Sequence, residues 1–224
     1  MDCPLSVNAP CRTIMTAIDV TAFTDRISDC DLEQLSRDNP ETRFETTPQG
    51  KLIIMSPTGS LTGEKNSDRE RRSLASPAFA RQGTSDLNYQ LQFWNRSWGL
   101  GKVFDSSTGF KLSNGATRSP DVSWIEIGRW QSIPKAQQRR FAPIDPDFII
   151  ELMSPTDDRL ELQQKMVEYI KCGVKLGWLI CPDEKQVEIF RQGEKKKILD
   201  NPSSLLGEDI LPGLTVDLAD IFSD

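Results

Sequence analysis

Phe148-Ile149-Ile150-Glu151-Leu152-Met153 is an apolar run with a single carboxylate inside it. Asp145-Pro146-Asp147 precedes it and Ser154-Pro155-Thr156 follows, and both triplets are rich in turn formers. A short apolar run bounded in this way reads as a strand covered on both faces, as in the middle of an α/β sheet. Burying an ionised carboxylate there costs on the order of several kcal/mol unless a cation or hydrogen-bond donors meet it. Glu151 therefore either turns to solvent or pairs with an Arg at the strand end, or it is kept for chemistry. A second acid in a similar setting favours chemistry.

That second acid is Asp121, which opens the apolar segment Asp121-Val122-Ser123-Trp124-Ile125 directly after Ser119-Pro120. Its carboxylate lies where a strand emerges from a turn. Two strand-borne acids can converge on one divalent cation. Hard cations such as Mg2+ take oxygen ligands and keep several waters, and such a water can act as the nucleophile in phosphodiester hydrolysis. Pro-Asp followed by a distant strand Glu is the skeleton of the PD-(D/E)XK nucleases, although Pro-Asp pairs are also ordinary turn formers.

That signature continues with a Lys two residues after the Glu, because positions i and i+2 of a strand share a face. Here the position holds Met153, so a Lys must come from elsewhere or the site is dead. Residues Asp157 to Gly173 read as a helix: Pro155 and Thr156 suit its start, Asp157 and Asp158 its positive end, and Gly173 its stop. Leu162, Met166, Tyr169 and Ile170 share an apolar face, with Lys165 at its border beside Tyr169. Lys165 can then reach the sheet edge at Glu151. The plain alternative is a Lys that buries its stem and leaves its ammonium in water.

Several separated blocks resemble those of the Uma-type restriction endonucleases. They are Leu52 to Gly59 (Leu-Ile-Ile-Met-Ser-Pro-Thr-Gly), Val103 to Leu112, Arg118 to Ile125, Asp147 to Pro155, and Lys165-x-x-x-Tyr169 followed by Gly173-Val174 and Gly177-Trp178-Leu179-Ile180. The resemblance runs from Asp31 to Asp220. It implies a PD-(D/E)XK core whose Lys has moved from the Glu-bearing strand to the following helix. By resemblance, Asp121 and Glu151 are ligands for Mg2+, with Mn2+ as a substitute, and Lys165 positions or polarises the attacking water. Glu45, in Arg43-Phe44-Glu45, matches a further acid that adds a ligand or binds water at the metal. Many relatives place an apolar residue after this Glu where this chain has Thr46, and the plain reading of Glu45 is an exposed acid beside the Pro48-Gln49-Gly50 turn. Many relatives also carry a His shortly after the Pro-Thr-Gly block, and this chain has Leu61-Thr62-Gly63.

The chain of 224 residues contains no His. Ser-His-Asp and Cys-His catalysis are thereby excluded, as are zinc and nuclease sites that need imidazole. Five cysteines without a Cys-x-x-Cys pair suggest neither a zinc ribbon nor a disulfide framework, so a reducing cytoplasm is expected. No glycine-rich loop precedes a Lys-Ser or Lys-Thr pair, and no organic cofactor is expected. Apolar stretches fall far short of the ~20 residues of a membrane span, and the N-terminus lacks the apolar segment of a signal peptide. The net charge of -6 is unevenly spread. Residues 1–46 hold nine acids and four bases, residues 198–224 six acids and no bases, which leaves +5 on residues 47–197. Arg129, Lys135, Arg139, Arg140 and Lys195-Lys196-Lys197 are candidates for phosphate contact, and charge runs of this kind also serve simply as solvated surface. Trp130 is read as packing on the sheet rather than stacking on a base.

The expected fold is α/β (α+β): a restriction-endonuclease-like core of αβββαβ topology, with a mixed central sheet flanked by helices and an N-terminal helix and hairpin. Residues 1–28 form a partly ordered lead-in, with Met15 an alternative start, and residues 29–224 a single nuclease domain. A helix near Asp31 to Arg37 leads into a hairpin of Thr42–Thr46 and Lys51–Met55, and a longer helix covers Thr62 to Arg81. Strands follow at Val103–Ser106, Phe110–Leu112, Asp121–Ile125, Phe148–Met153 and Gly177–Cys181. A last hairpin pairs Val187–Arg191 with Lys195–Leu199. The functional expectation is a Mg2+-dependent DNA endonuclease acting as a homodimer. Two alternatives stand beside it: a catalytically silent nucleic-acid-binding or regulatory dimer that keeps the fold, and a structural protein in which Glu151 pairs with an Arg and no cleft opens.

Overall fold

Residues 27–40, 42–55, 77–155 and 157–223 are described in the computed structural model, the side chains of residues 77–82 excepted. In chain order the elements are α1 (Asp29–Asp38), β1 (Arg43–Thr46), β2 (Leu52–Met55), α2 (Pro77–Trp98), β3 (Gly101–Asp105), β4 (Phe110–Lys111), β5 (Thr117–Arg118), β6 (Val122–Glu126), α3 (Ile127–Ser132), α4 (Lys135–Gln138), β7 (Phe148–Leu152), α5 (Arg159–Cys172), β8 (Leu176–Cys181), β9 (Gln186–Arg191), β10 (Lys197–Asp200), β11 (Ser204–Leu206) and β12 (Thr215–Asp217).

The apolar run around Glu151 is β7, in the interior of a six-stranded sheet of order β10-β9-β8-β7-β6-β3. Only β7 and β8 pair in parallel, joined by the crossover helix α5, so the sheet is mixed as expected. All five β7 residues are buried because the sheet is covered on both faces. Phe148, Ile150 and Leu152 face one core with Leu87, Leu91 and Trp94 of α2, while Ile149 faces the other with Met166 and Tyr169 of α5. Glu151, one pleat from Ile150, points to the α5 side. Four shorter strands form a second sheet, β2-β1-β5-β4, which carries Glu45.

α5 has clear local reasons to form where it does. Asp158 caps its start by accepting from the Leu160 and Glu161 amides at 2.7 and 3.1 Å. Gly173 ends it at φ 116°, a backbone conformation that strains any residue with a Cβ. A Cβ on Gly177 of β8 would lie 2.7 Å from the Met166 side chain. The missing side chain lets the helix settle close to the sheet beside Ile149, two residues before the acid.

The N-terminal helix, its hairpin, the strands β3, β4, β6, β7 and β8 and the β9–β10 hairpin match the sequence expectation to within a few residues. The helix expected over Thr62 to Arg81 lies outside the described residues except for its last part, and the helix present there is α2, which runs on to Trp98. Its buried stripe of Leu87, Leu91 and Trp94 is spaced for a helix, but the helix-weakening residues Gly83, Ser85, Asn88 and Asn95 obscure it in the sequence. The short elements β5, α3, α4, β11 and β12 were not expected. The acidic C-terminal stretch is part of the core, contributing Leu205, Leu211, Leu214, Val216, Leu218 and Ile221. The expected lead-in up to residue 26 and the Pro57-Thr58-Gly59 block lie outside the described residues.

Candidate active site

Antiparallel pairing brings Asp121 and Glu151 together. Val122 of β6 faces Ile150 of β7, so one step further along the ladder Asp121 falls beside Glu151, and cross-strand partners project to the same face. Asp121 is fixed by the Leu152 amide, which donates to Oδ2 at 2.9 Å, and by Arg43, whose Nη1 donates to Oδ1 at 3.2 Å. The acids thirty residues apart in sequence thus share one place in the fold.

Lys165 arrives from α5. Its Nζ lies 2.9 Å from Glu151 Oε1 and 3.1 Å from Glu45 Oε1, so a single ammonium joins the two sheets. Tyr169, one helical turn on, donates its hydroxyl to the same Glu151 oxygen at 3.0 Å. Glu45 is not the exposed acid of the plain reading: it is 2% exposed and held by Arg118 Nη1 at 3.0 Å and the Ser119 amide at 2.9 Å. Arg118 also binds Glu168 of α5, donating from Nε at 3.1 Å. All four residues singled out from the sequence, Glu45, Asp121, Glu151 and Lys165, therefore stand in one cluster. Arg43, Arg118, Glu168 and Tyr169 complete it. Among the described residues Glu151 pairs with Lys165 and with no Arg, unlike the structural alternative.

The charges are unequal in how well they are met. Burial pushes the Glu151 carboxyl up, the neighbouring charges of Asp121 and Glu45 push further, and Lys165 only partly opposes them, leaving it at about 7. Burial also pushes Glu45 up, but Lys165, Arg118 and the Ser119 amide outweigh it and hold this acid below the usual carboxylate range. Lys165 is disfavoured as a cation by burial, and the acids around it more than reverse this, so its ammonium is retained well beyond neutral pH. Tyr169 is raised far above an ordinary phenol by burial and by the Glu151 and Glu45 charges, which makes it a permanent donor.

The donor set suits a hard divalent cation. Lys165 and Tyr169 both address Glu151 Oε1, so Oε2 has no donor among the described residues. Asp121 offers Oδ1, covered among the described residues only by a guanidinium whose side chain is 36% exposed. Two carboxylates that repel one another, one of them incompletely satisfied, fit an ion that binds through one or two carboxylates and keeps its remaining waters. No group of three or more His, Cys, Asp or Glu side chains gathers as a ready-made ligand cluster among the described residues.

The Uma2 family model, described as "Putative restriction endonuclease", matches residues 75–219. The chain belongs to this family. Asp121, Glu151 and Lys165 lie inside the Uma2 match and Glu45 outside it. A similar fold occurs in a crystal structure described as a putative nuclease belonging to DUF820 from Anabaena variabilis ATCC 29413. The TM-score is 0.59 at 20% identity, over 80% of this chain and 89% of the other. No curated protein matches the chain.

Much of the basic surface expected to meet phosphate is used inside the fold. Arg129 pairs with buried Asp147, Arg140 with Glu33, and Lys196 with Glu188. Lys135, Arg139, Lys195 and Lys197 remain exposed. Trp130 packs on Phe104, with ring centroids 4.7 Å apart. No described helix is long and apolar enough to cross a membrane. Sequence reasoning overlooked Arg43 and Arg118 as site residues. The available signal was that each lies close to an acid already under suspicion.

Proposed function

We propose that this Uma2-family chain is a divalent-metal-dependent endonuclease acting on DNA. Asp121 and Glu151 hold Mg2+ or Mn2+, and Lys165 orients the reaction. The observation that carries the reading is the state of Glu151: a buried strand carboxylate, raised to about 7, beside a second carboxylate and with one oxygen that meets no donor among the described residues.

When bound, the cation would supply Lewis acidity toward a phosphoryl oxygen and lower the pKa of water. The side chains do the rest. Asp121 is kept in place by the Leu152 amide, and Glu151 by Tyr169 and Lys165, so both ligands are pre-set by groups outside the metal's own contacts. Lys165 keeps its proton at working pH, so it acts as a fixed positive donor to water or to a phosphoryl oxygen rather than as a general base. Glu45 holds that ammonium from the opposite sheet. Two copies of the chain would provide the two sites that double-strand cutting needs, a state checked by light scattering. Three free cysteines among the described residues agree with a cytoplasmic location.

The test is nicking of supercoiled plasmid in Mg2+ and in Mn2+ by wild type, Asp121→Ala and Glu151→Ala, with folding verified by circular dichroism. Metal-dependent nicking lost in both variants is expected. A wild type that binds DNA but neither binds metal nor nicks would support the silent nucleic-acid-binding reading instead.

A further inference from the structure

Arg43 stands apart from the other cations of the cluster. Lys165 is gripped by two acids, and Arg118 by Glu45 and Glu168, both with nearly sealed side chains. Among the described residues Arg43 has one acid partner, Asp121, at 3.2 Å, and its side chain is 36% exposed at the start of β1. It rests on the Asp121 oxygen that the proposed function requires for the divalent cation. A guanidinium and a divalent ion on the same carboxylate oxygen repel, and the more weakly held and more exposed group is the one to leave. Once released, its planar fork of donors suits a phosphodiester oxygen pair better than any other group at this position.

We infer that Arg43 is a transferable cation: it neutralises Asp121 in the metal-free protein, and when the divalent ion binds it swings away to bind a phosphate of the nucleic-acid substrate. The inference rests on the proposed metal role of Asp121. Its consequence is coupling. Metal frees Arg43 for DNA, and DNA draws Arg43 off Asp121, so each ligand tightens the other by the same factor. An ion pair serving only to hold β1 against β6 would give no such coupling.

The test compares wild type, Arg43→Ala, Arg43→Lys and Asp121→Ala by two titrations. Mn2+ is titrated calorimetrically into DNA-free protein, and a fluorescein-labelled DNA duplex is titrated by anisotropy with and without Ca2+, used as a divalent ion that permits binding. Removing the competitor in Arg43→Ala is expected to tighten Mn2+ binding roughly fivefold. The same variant is expected to weaken duplex binding in Ca2+ roughly tenfold and to lose most of the Ca2+ enhancement. Arg43→Lys, which keeps the charge but not the fork, should hold Mn2+ affinity near wild type while duplex binding falls. Weaker Mn2+ binding in Arg43→Ala, or duplex binding that keeps its full Ca2+ enhancement, would overturn the inference. If Mn2+ binding is lost in Asp121→Ala but unmoved in Arg43→Ala, the metal site stands and only the Arg43 role fails. If wild type binds no Mn2+, both fail.

Discussion

Glu151 and Glu188 are two buried glutamates on one row of one sheet. Glu151 of β7 pairs in register with Leu179 of β8, and Leu179 pairs with Glu188 of β9, so both acids face α5 two strands apart. Glu188 receives four described side-chain donors: Arg159 through Nε and Nη2 at 2.9 and 2.6 Å, Gln163 at 2.6 Å and Lys196 at 2.7 Å. Burial pushes its carboxyl up, but these donors outweigh the effect and hold it below the usual range. Glu151 receives two donors on one oxygen and is raised to about 7. A buried acid is thus no mark of function in itself. What separates the pair is satisfaction: among the described residues both Glu188 oxygens meet donors, whereas only one Glu151 oxygen does.

Substitution should divide the two acids most sharply. Glu151→Ala should reduce plasmid nicking to the level of a metal-free control while leaving a folded protein, and Glu188→Ala should leave metal affinity near wild type. Comparable loss of metal binding in both variants would erase the distinction. Lys165→Ala should slow nicking roughly 100-fold, as expected for removal of one preorganised donor, with Mn2+ affinity preserved. If affinity collapses before rate, the ammonium is not the donor described here. Glu188→Ala should cost about 2–3 kcal/mol in urea unfolding, because it strands Arg159 and Lys196 beside the sheet.

Titration should act on the two acids with opposite sign. Glu151 holds its proton up to about 7 in the folded chain, whereas the ordinary value is 4.5, so the native state binds more protons between these limits. Stability should therefore fall as pH rises from 4.5 to 7, by about 3 kcal/mol in total from this group. Glu151→Gln should flatten that slope in urea unfolding measured across the window. Glu188, with its lowered value, contributes stability that is present above 4.5 and lost as pH falls through its folded value. Metal-free Glu188→Gln that retained the full acid-side loss would show that other carboxylates dominate there. Smallest of all, Tyr169→Phe removes one hydrogen bond to Glu151 and should cost about 1 kcal/mol.

The contrast also explains what the sequence made legible. Glu151 was conspicuous because its neighbours Ile149, Ile150 and Leu152 leave no polar pattern to absorb it, whereas Glu188 sits in Gln186-Val187-Glu188-Ile189, an alternation that reads as a half-exposed strand. Helix spacing placed Lys165 and Tyr169 on the face toward Glu151, and the structure has them there. Arg43 stands two residues from Glu45, but its partner is Asp121, 78 positions away, and that pairing depends on how the second sheet lies on the first. Glu45 was reached through the family resemblance, since its own surroundings read as a turn-side acid, and the enclosure by Arg118 and Lys165 appears only in the fold. The stretch after Leu206 failed for another reason: Leu211, Leu214 and Leu218 fill a core from short, irregular segments that carry no period.

The most direct test of the central claim is calorimetric titration of Mn2+ into wild type, Asp121→Ala, Glu151→Ala and Glu188→Ala at a pH above 7, where Glu151 is ionised. The account predicts binding by wild type and Glu188→Ala and none by the other two. Binding that survives both Asp121→Ala and Glu151→Ala, or its absence from a folded wild type, would contradict it.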